Sequence, residues 1–266
     1  MARLPDVELL GVRLDNLSAD DVVDHVASAL AAGRGGCIVT PNVDIVRRAA
    51  RDPQLRQLLH GADLSLPDGM PLVWASRLRR SPLQGRLAMS ELIYPLARSA
   101  SRLGHRLFLL GDTDQVARGA AAALAGATPG LHVVGTHSPP FGFDRDPKGL
   151  GPVVAALEAA HPDLVVCAFG FPRQEQLMAA LQPRFPASWF VAAGATLSMA
   201  AGRTPPAPPW MRRLGLEWAH RLRLEPRRLF RRYIVDDVPF ALRLLAQSAA
   251  EGWLASGAGG LGPHRS

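Results

Sequence analysis

Several short polar segments in this 266-residue chain follow directly on apolar runs, and their residue types set what chemistry they could do. Asp68-Gly69 comes after Ala62–Leu66, and a carboxylate held beside glycine there could accept a proton from a hydroxyl nucleophile. Asp-Gly is also ordinary turn chemistry, and taken alone the turn is the favoured reading. Thr40 and Asn42 follow Cys37-Ile38-Val39 and could hydrogen-bond a polar ligand or cap a helix. Gly111 would let a ligand approach closely, and a helix starting just beyond Asp112 would favour a phosphate or ribose. Asp112-Thr113-Asp114 spells DxD, as does Asp144-Arg145-Asp146, a pattern that can hold a metal-bound nucleotide. Asp and Thr at a helix start are more simply caps, so no metal site is assigned. Gln174 and Glu175, in Gly170-Phe-Pro-Arg-Gln-Glu, fall in the first turn of a helix opened by Pro172 and could reach a ligand. Gly194-Ala195-Thr196 is a further set of small residues where a backbone could approach a nucleotide. None of the eight histidines pairs with a plausible Ser or Cys nucleophile, and neither GxSxG nor HExxH occurs.

The elements that must position these residues alternate regularly. Ser18 with Asp20 and Asp21 opens a helix whose apolar face is Val22, Val23, Val26, Ala29 and Leu30. Strands are expected at 37–39, 62–66, 106–110, 131–134, 164–169 and 189–193. Helices are expected at 45–59, 71–77, 90–102, 115–125, 149–160 and 173–181. That alternation predicts an α/β fold, a mainly parallel, Rossmann-like sheet with helices on both faces. Ligands of such sheets sit at the carboxyl ends of the strands, where the segments above fall. A Pro-rich break at 204–209 ends an α/β body of residues 1–203, and residues 204–250 read as a small appendage of short helices. Residues 251–266 read as a disordered Gly-rich tail; its GxGxxG match at 257–262 has no strand before it or helix after it, and is accidental.

Composition adds a charge asymmetry. The chain carries a net +7, but residues 203–243 hold ten arginines against Glu217, Glu225, Asp236 and Asp237, whereas residues 1–202 hold 19 basic and 18 acidic side chains. Such a patch could face a phosphorylated small molecule, anionic lipid or nucleic acid, or be a solvated helix face. Arg228 and Arg231 are i, i+3 and would share a helix face, and arginines can neutralise a diphosphate as a metal would. Cys37 and Cys167 form no CxxC pair, so a reducing compartment is expected. No signal peptide and no apolar run of spanning length is apparent, so a soluble protein is expected.

Taken in order, the segments resemble the WecB/TagA/CpsF family of bacterial glycosyltransferases. The match comprises TPNxD at 40–44, DGxP at 68–71, Arg86, FLLGD at 108–112, GFPRQE at 170–175, GATLSMAAG at 194–202, PPW at 208–210 and GLEWAHRLRLEPRRLFRRY at 215–233. The resemblance implies an inverting, metal-independent transferase without a cofactor, moving an N-acetylmannosamine-type sugar from a UDP-sugar to a polyprenyl-diphosphate-linked acceptor. It gives Asp68 the role of base, places Thr40, Asn42, Arg86 and Gln174 in the pocket, and assigns Arg221, Arg228 and Arg231 to the diphosphate. It further implies peripheral attachment to the cytoplasmic membrane surface and no nucleic-acid partner; the oligomeric state stays open. Three positions depart from the family pattern: Met89-Ser90-Glu91 where Gly-x-Asp is common, Ser198 for Asp, and Pro206 for Arg. They bear on nucleotide or sugar specificity, not on Asp68 or the arginines. Two rival classes are a non-catalytic module binding anionic lipid or nucleic acid, and a dinucleotide-dependent oxidoreductase, which the lack of GxGxxG after the first strand argues against.

Overall fold

The computed structural model describes residues 4–145 and 148–257. Asp146, part of the second DxD triplet, and residues 258–266 of the expected tail lie outside the described residues. The chain begins with a hairpin, β1 (Val7–Leu9) and β2 (Val12–Leu14), joined by Leu10 and Gly11, both at positive φ. That is the backbone of a two-residue loop whose twist matches the strands it joins.

A six-stranded parallel sheet follows, in the order β4-β3-β8-β7-β5-β6. Its strands are β3 (Gly36–Val39), β4 (Leu64–Ser65), β5 (Arg106–Gly111), β6 (His132–His137), β7 (Leu164–Ala168) and β8 (Trp189–Ala192). This order differs from the 3-2-1-4-5-6 of dinucleotide-binding sheets. The four central strands are buried on both faces, and alternation sorts their side chains. Cys37, Phe108, Leu110, Val165 and Phe190 enter one core, while Ile38, Leu107, Leu109, Val166 and Val191 enter the other.

Helices cover both cores. The first core packs against α2 (Val43–Arg51), α3 (Pro53–His60), α4 (Met70–Leu78), α7 (Leu150–Ala160) and α8 (Arg173–Leu181). The second packs against α1 (Ala19–Ala31), α5 (Met89–Leu103), α6 (Asp114–Ala127) and the short α9 (Thr196–Ala200). Capping explains several starts. Ser18 and Asp21 form a reciprocal capping box on α1, and Thr113 Oγ1 caps α6. The helix expected over 45–59 is two helices. Asp52 leaves helical geometry to cap α3, whose first residue Pro53 cannot continue α2's hydrogen bonding.

The C-terminal segment folds as α10 (Pro209–Arg213), α11 (Glu217–Leu224), α12 (Pro226–Phe230), a π-helical stretch at Arg231–Asp237 and a long α13 (Val238–Gly257). The last helix therefore runs into the stretch expected to be disordered. Leu244 is buried in the first core, with Phe240 and Leu245 against it, and Gly252 lies on α4. A Cβ at Gly252 would come 2.0 Å from the Leu78 carbonyl oxygen, so only glycine permits this approach. No helix among the described residues is long and apolar enough to cross a membrane.

Candidate active site

Chain exits at the carboxyl ends of neighbouring strands build the site. The connections leave β3 and β8 towards opposite cores, α2 to the first and α9 to the second, which opens a crevice between them. The Asp68 N–H donates to the Pro41 carbonyl at 2.9 Å, and the Leu87 N–H donates to the Pro67 carbonyl at 2.8 Å. These bonds gather the Thr40–Asn42, Pro67–Gly69 and Arg86 segments at one place. Gly69 has φ +127°, a backbone that side chains rarely adopt, so the Asp-Gly pair does turn the chain here, and the turn leaves Asp68 facing a cavity.

That cavity has a volume of about 340 Å³, with one wall from the body and the other from residues 215–245. Asn42, Asp68 and Arg221 line its polar part, and Trp74, Trp218 and Leu242 its apolar part. Thr40 is half-buried at the exit of β3, and the cavity wall begins at Asn42. Asn42 Oδ1 caps α2 by accepting from the Ile45 N–H at 3.1 Å, so the capping reading of this residue holds while it also borders the cavity.

Electrostatics concentrate on Arg86. Its Nη1 lies 2.6 Å from Glu217 Oε2 and 3.9 Å from Asp68 Oδ1, and its Nη2 lies 2.9 Å from Glu91 Oε1. Arg212 Nη1 completes the cluster, 2.9 Å from the same Glu91 oxygen. Asp68 keeps 32% of its side chain open to the cavity but is otherwise ringed by protein. Desolvation pushes its pKa up to about 7, against the pull of Arg86 and Arg221 and with a further push from Glu217. Burial likewise raises Glu217, opposed by Arg86. Across the cavity, Asp44 and Asp237 share Arg47 and Arg232 in a compact cluster that ties the π-helical turn to α2. Burial and the nearby Asp44 push Asp237 up to about 6.

The remaining candidates serve adjacent exits. Gln174 is buried, and its Oε1 accepts from the Gly170 N–H at 3.1 Å and the Gly194 N–H at 3.0 Å, joining the loops after β7 and β8. Its amide donates to Glu175, which is buried on the far side against α3, away from the Asp68 cavity; burial pushes Glu175 up to about 7. Gly111 is buried where a Cβ would sit 2.7 Å from the Ala168 carbonyl, so glycine here serves strand packing. Asp112 accepts from Ser198 Oγ at 2.7 Å and from the Thr113 N–H at 2.8 Å, tying the β5 exit to α9. Arg221 borders both the Asp68 cavity and a smaller one of about 190 Å³ that contains Thr196, Arg212 and His220. Arg228 points outward and pairs with Glu225, and Arg231 is exposed. The structure thus brings Asn42, Asp68, Arg86 and Arg221 together and leaves Arg228 and Arg231 outside. It adds Glu217, Arg232 and the two tryptophans, of which Glu217 and Trp218 stood within the GLEWAHR motif.

A crevice at strand ends that holds a carboxylate raised into the neutral range, with Arg86 and Arg221 beside it, is an arrangement suited to sugar transfer. Residues 7–252 match the glycosyl transferase WecG/TagA/CpsF family, and the chain belongs to it. Its relatives include proteins named N-acetylglucosaminyldiphosphoundecaprenol N-acetyl-beta-D-mannosaminyltransferase. One from Bacillus subtilis strain 168 is 31% identical over 72% of this chain and 73% of its own length. Another from Bacillus spizizenii is 30% identical over 77% and 78%. A third from Staphylococcus aureus strain MRSA252 is 28% identical over 91% and 92%.

Proposed function

We propose that this glycosyltransferase moves an N-acetylmannosamine-type sugar from a UDP-sugar to a polyprenyl-diphosphate-linked N-acetylglucosamine, inverting the anomeric centre, with Asp68 as base. The observation that carries the reading is Asp68 itself: a carboxylate at a strand end, open to a cavity, with its pKa raised to about 7. A base of that strength is half ionised at neutral pH and can still draw a proton from a hydroxyl. In the reaction, the acceptor hydroxyl gives its proton to Asp68 as its oxygen attacks the anomeric carbon. The bond from that carbon to the diphosphate breaks, and the electron pair leaves on the UDP oxygen. Arg221 stands at the cavity wall to stabilise that charge, doing the work a metal does elsewhere.

The names of the relatives support the acceptor class. The apolar wall of Trp74, Trp218 and Leu242 suits the first prenyl units of such a lipid. Exposed Trp210, Leu214, Phe230, Trp253 and Leu254 on the arginine-rich C-terminal segment support attachment to an anionic membrane surface on the cytoplasmic side. The test is turnover of UDP-N-acetylmannosamine with a short-chain prenyl-diphosphate N-acetylglucosamine, read as UDP release and as a disaccharide-lipid product. Release of UDP without transfer to the lipid analogue, or no turnover with any UDP-sugar, would overturn the assignment.

A further inference from the structure

Asp68 and Arg86 face each other in the body of the protein, yet they do not form a close ion pair. The near nitrogen of Arg86 is 3.9 Å from Asp68 and 2.6 Å from Glu217, and the other terminal nitrogen is taken by Glu91 at 2.9 Å. Glu217 reaches this point from α11, in the C-terminal segment, across 131 residues of sequence. We propose that Glu217 is a positioning residue for the base: by holding the near nitrogen of Arg86 it keeps that cation from pairing with Asp68, and so keeps Asp68 basic enough to take the acceptor proton.

The physical argument is short. A guanidinium hydrogen-bonded to a carboxylate stabilises its charged form and lowers its pKa by about 1–3 units. A carboxylate so paired is a weak base, because proton-transfer efficiency follows the strength of the base. Arg86 is only 9% exposed; Glu91 engages one of its terminal nitrogens, and the other needs a partner of its own within the protein. With Glu217 there, Asp68 stays 3.9 Å from that nitrogen, outside hydrogen-bond contact, and feels Arg86 only as a nearby charge. The charged groups facing Asp68 are Arg86 and, from α5, Glu91; from α11, Glu217 and Arg221. Across the cavity stand Asp44 of α2 and Arg232 and Asp237 of the π-helical turn, and these three are engaged with one another. Among the described residues, Glu217 is the one acidic side chain of the C-terminal segment that pairs with Arg86. The base therefore acquires its working strength only when that segment is docked. This inference rests on the reading of Asp68 as the base of sugar transfer.

The experiment titrates Asp68 by carbon-13 NMR of aspartate-labelled full-length protein, with its resonance assigned by its loss in Asp68→Asn. In the wild type the midpoint is expected near neutrality. In Glu217→Gln, which keeps the shape and removes the charge, it is expected to fall by about 1–3 units. Glu217→Asp should keep most of the wild-type midpoint, and the acid limb of kcat/KM should move in step with the NMR midpoint in each variant. An unchanged midpoint in a folded Glu217→Gln protein would overturn the proposal. If that variant does not fold, a wild-type midpoint near 4, the ordinary carboxylate value, overturns it without any variant. The titration needs no substrate. Absence of turnover in the wild type would remove the proposed reaction while leaving the Asp68–Arg86–Glu217 linkage intact.

Discussion

Replacing Asp68 with asparagine should make the protein more stable and far less active, and the two effects should have different pH dependences. The carboxyl's pKa rises from 3.8 to about 7 on folding. A raised pKa means that the folded state favours the protonated form, so the group's contribution is intact below about pH 4 and is lost as pH climbs through 7. At about 1.4 kcal/mol per unit the full shift corresponds to roughly 4 kcal/mol. Because 32% of the side chain faces the cavity, solvent screening cuts this to about 1–2 kcal/mol. Asparagine stays neutral and escapes the loss. Thermal unfolding of both proteins from pH 4 to 9 should give Tm values that coincide near pH 4 and separate between pH 4 and 7. Above that the variant should run a few degrees higher. Turnover of the same variant should fall by roughly 10²–10⁴-fold, the usual worth of general-base catalysis. A Tm difference that does not vary with pH, or a variant less stable than the wild type at pH 8, would refute the electrostatic account. Wild-type turnover would refute the base.

Activity should survive EDTA, because both Asp112 oxygens are engaged, by the Thr113 N–H and Ser198 Oγ; loss of turnover restored by magnesium or manganese would make Asp112 a ligand. Gln174→Ala strands two loop N–H groups and should lower stability by about 1–3 kcal/mol while weakening UDP binding. An unchanged Tm and Kd would show that the two loops are held otherwise. Arg232→Ala opens the cluster with Asp44 and Asp237 and should raise hydrogen exchange across 231–237 without changing exchange in the central strands.

The sheet was legible because burial on both faces gives near-continuous apolar runs, and those runs end where Thr40, Asp68, Gly111, Gly170 and Gly194 begin. The first hairpin was not, since each strand has three residues and Leu10-Gly11 lacks the Asn-Gly chemistry that announces a two-residue loop. The long α13 was hidden because its apolar residues face both α4 and solvent, as exposed Leu242, Trp253 and Leu254 show. Asp68 and Arg86, which the structure sets side by side, were singled out through ordered motifs, but what their neighbours touch depends on which way a side chain turns. Gln174 reads as a ligand-reaching first-turn residue, and its side-chain oxygen accepts from two backbone amides, a role its position in sequence does not announce. Glu217 sits in an arginine-rich stretch where a lone acid looks like a surface charge, and its contact with Arg86 depends on how the chain folds back.

The tie between Arg86 and Glu217, together with Leu244 and Gly252 on α13, makes the C-terminal segment one jaw of the cavity and the sheet exits the other. Occupying the cavity and docking the jaw are then thermodynamically linked, and linkage is reciprocal. A donor that binds between the two must tighten the jaw by the same factor by which a docked jaw tightens the donor. A lipid surface that grips the outer, arginine-bearing side of the segment in its docked form would enter the same cycle as a third ligand. It would raise donor affinity without touching the sugar, so the enzyme would be better armed at such a surface than in free solution.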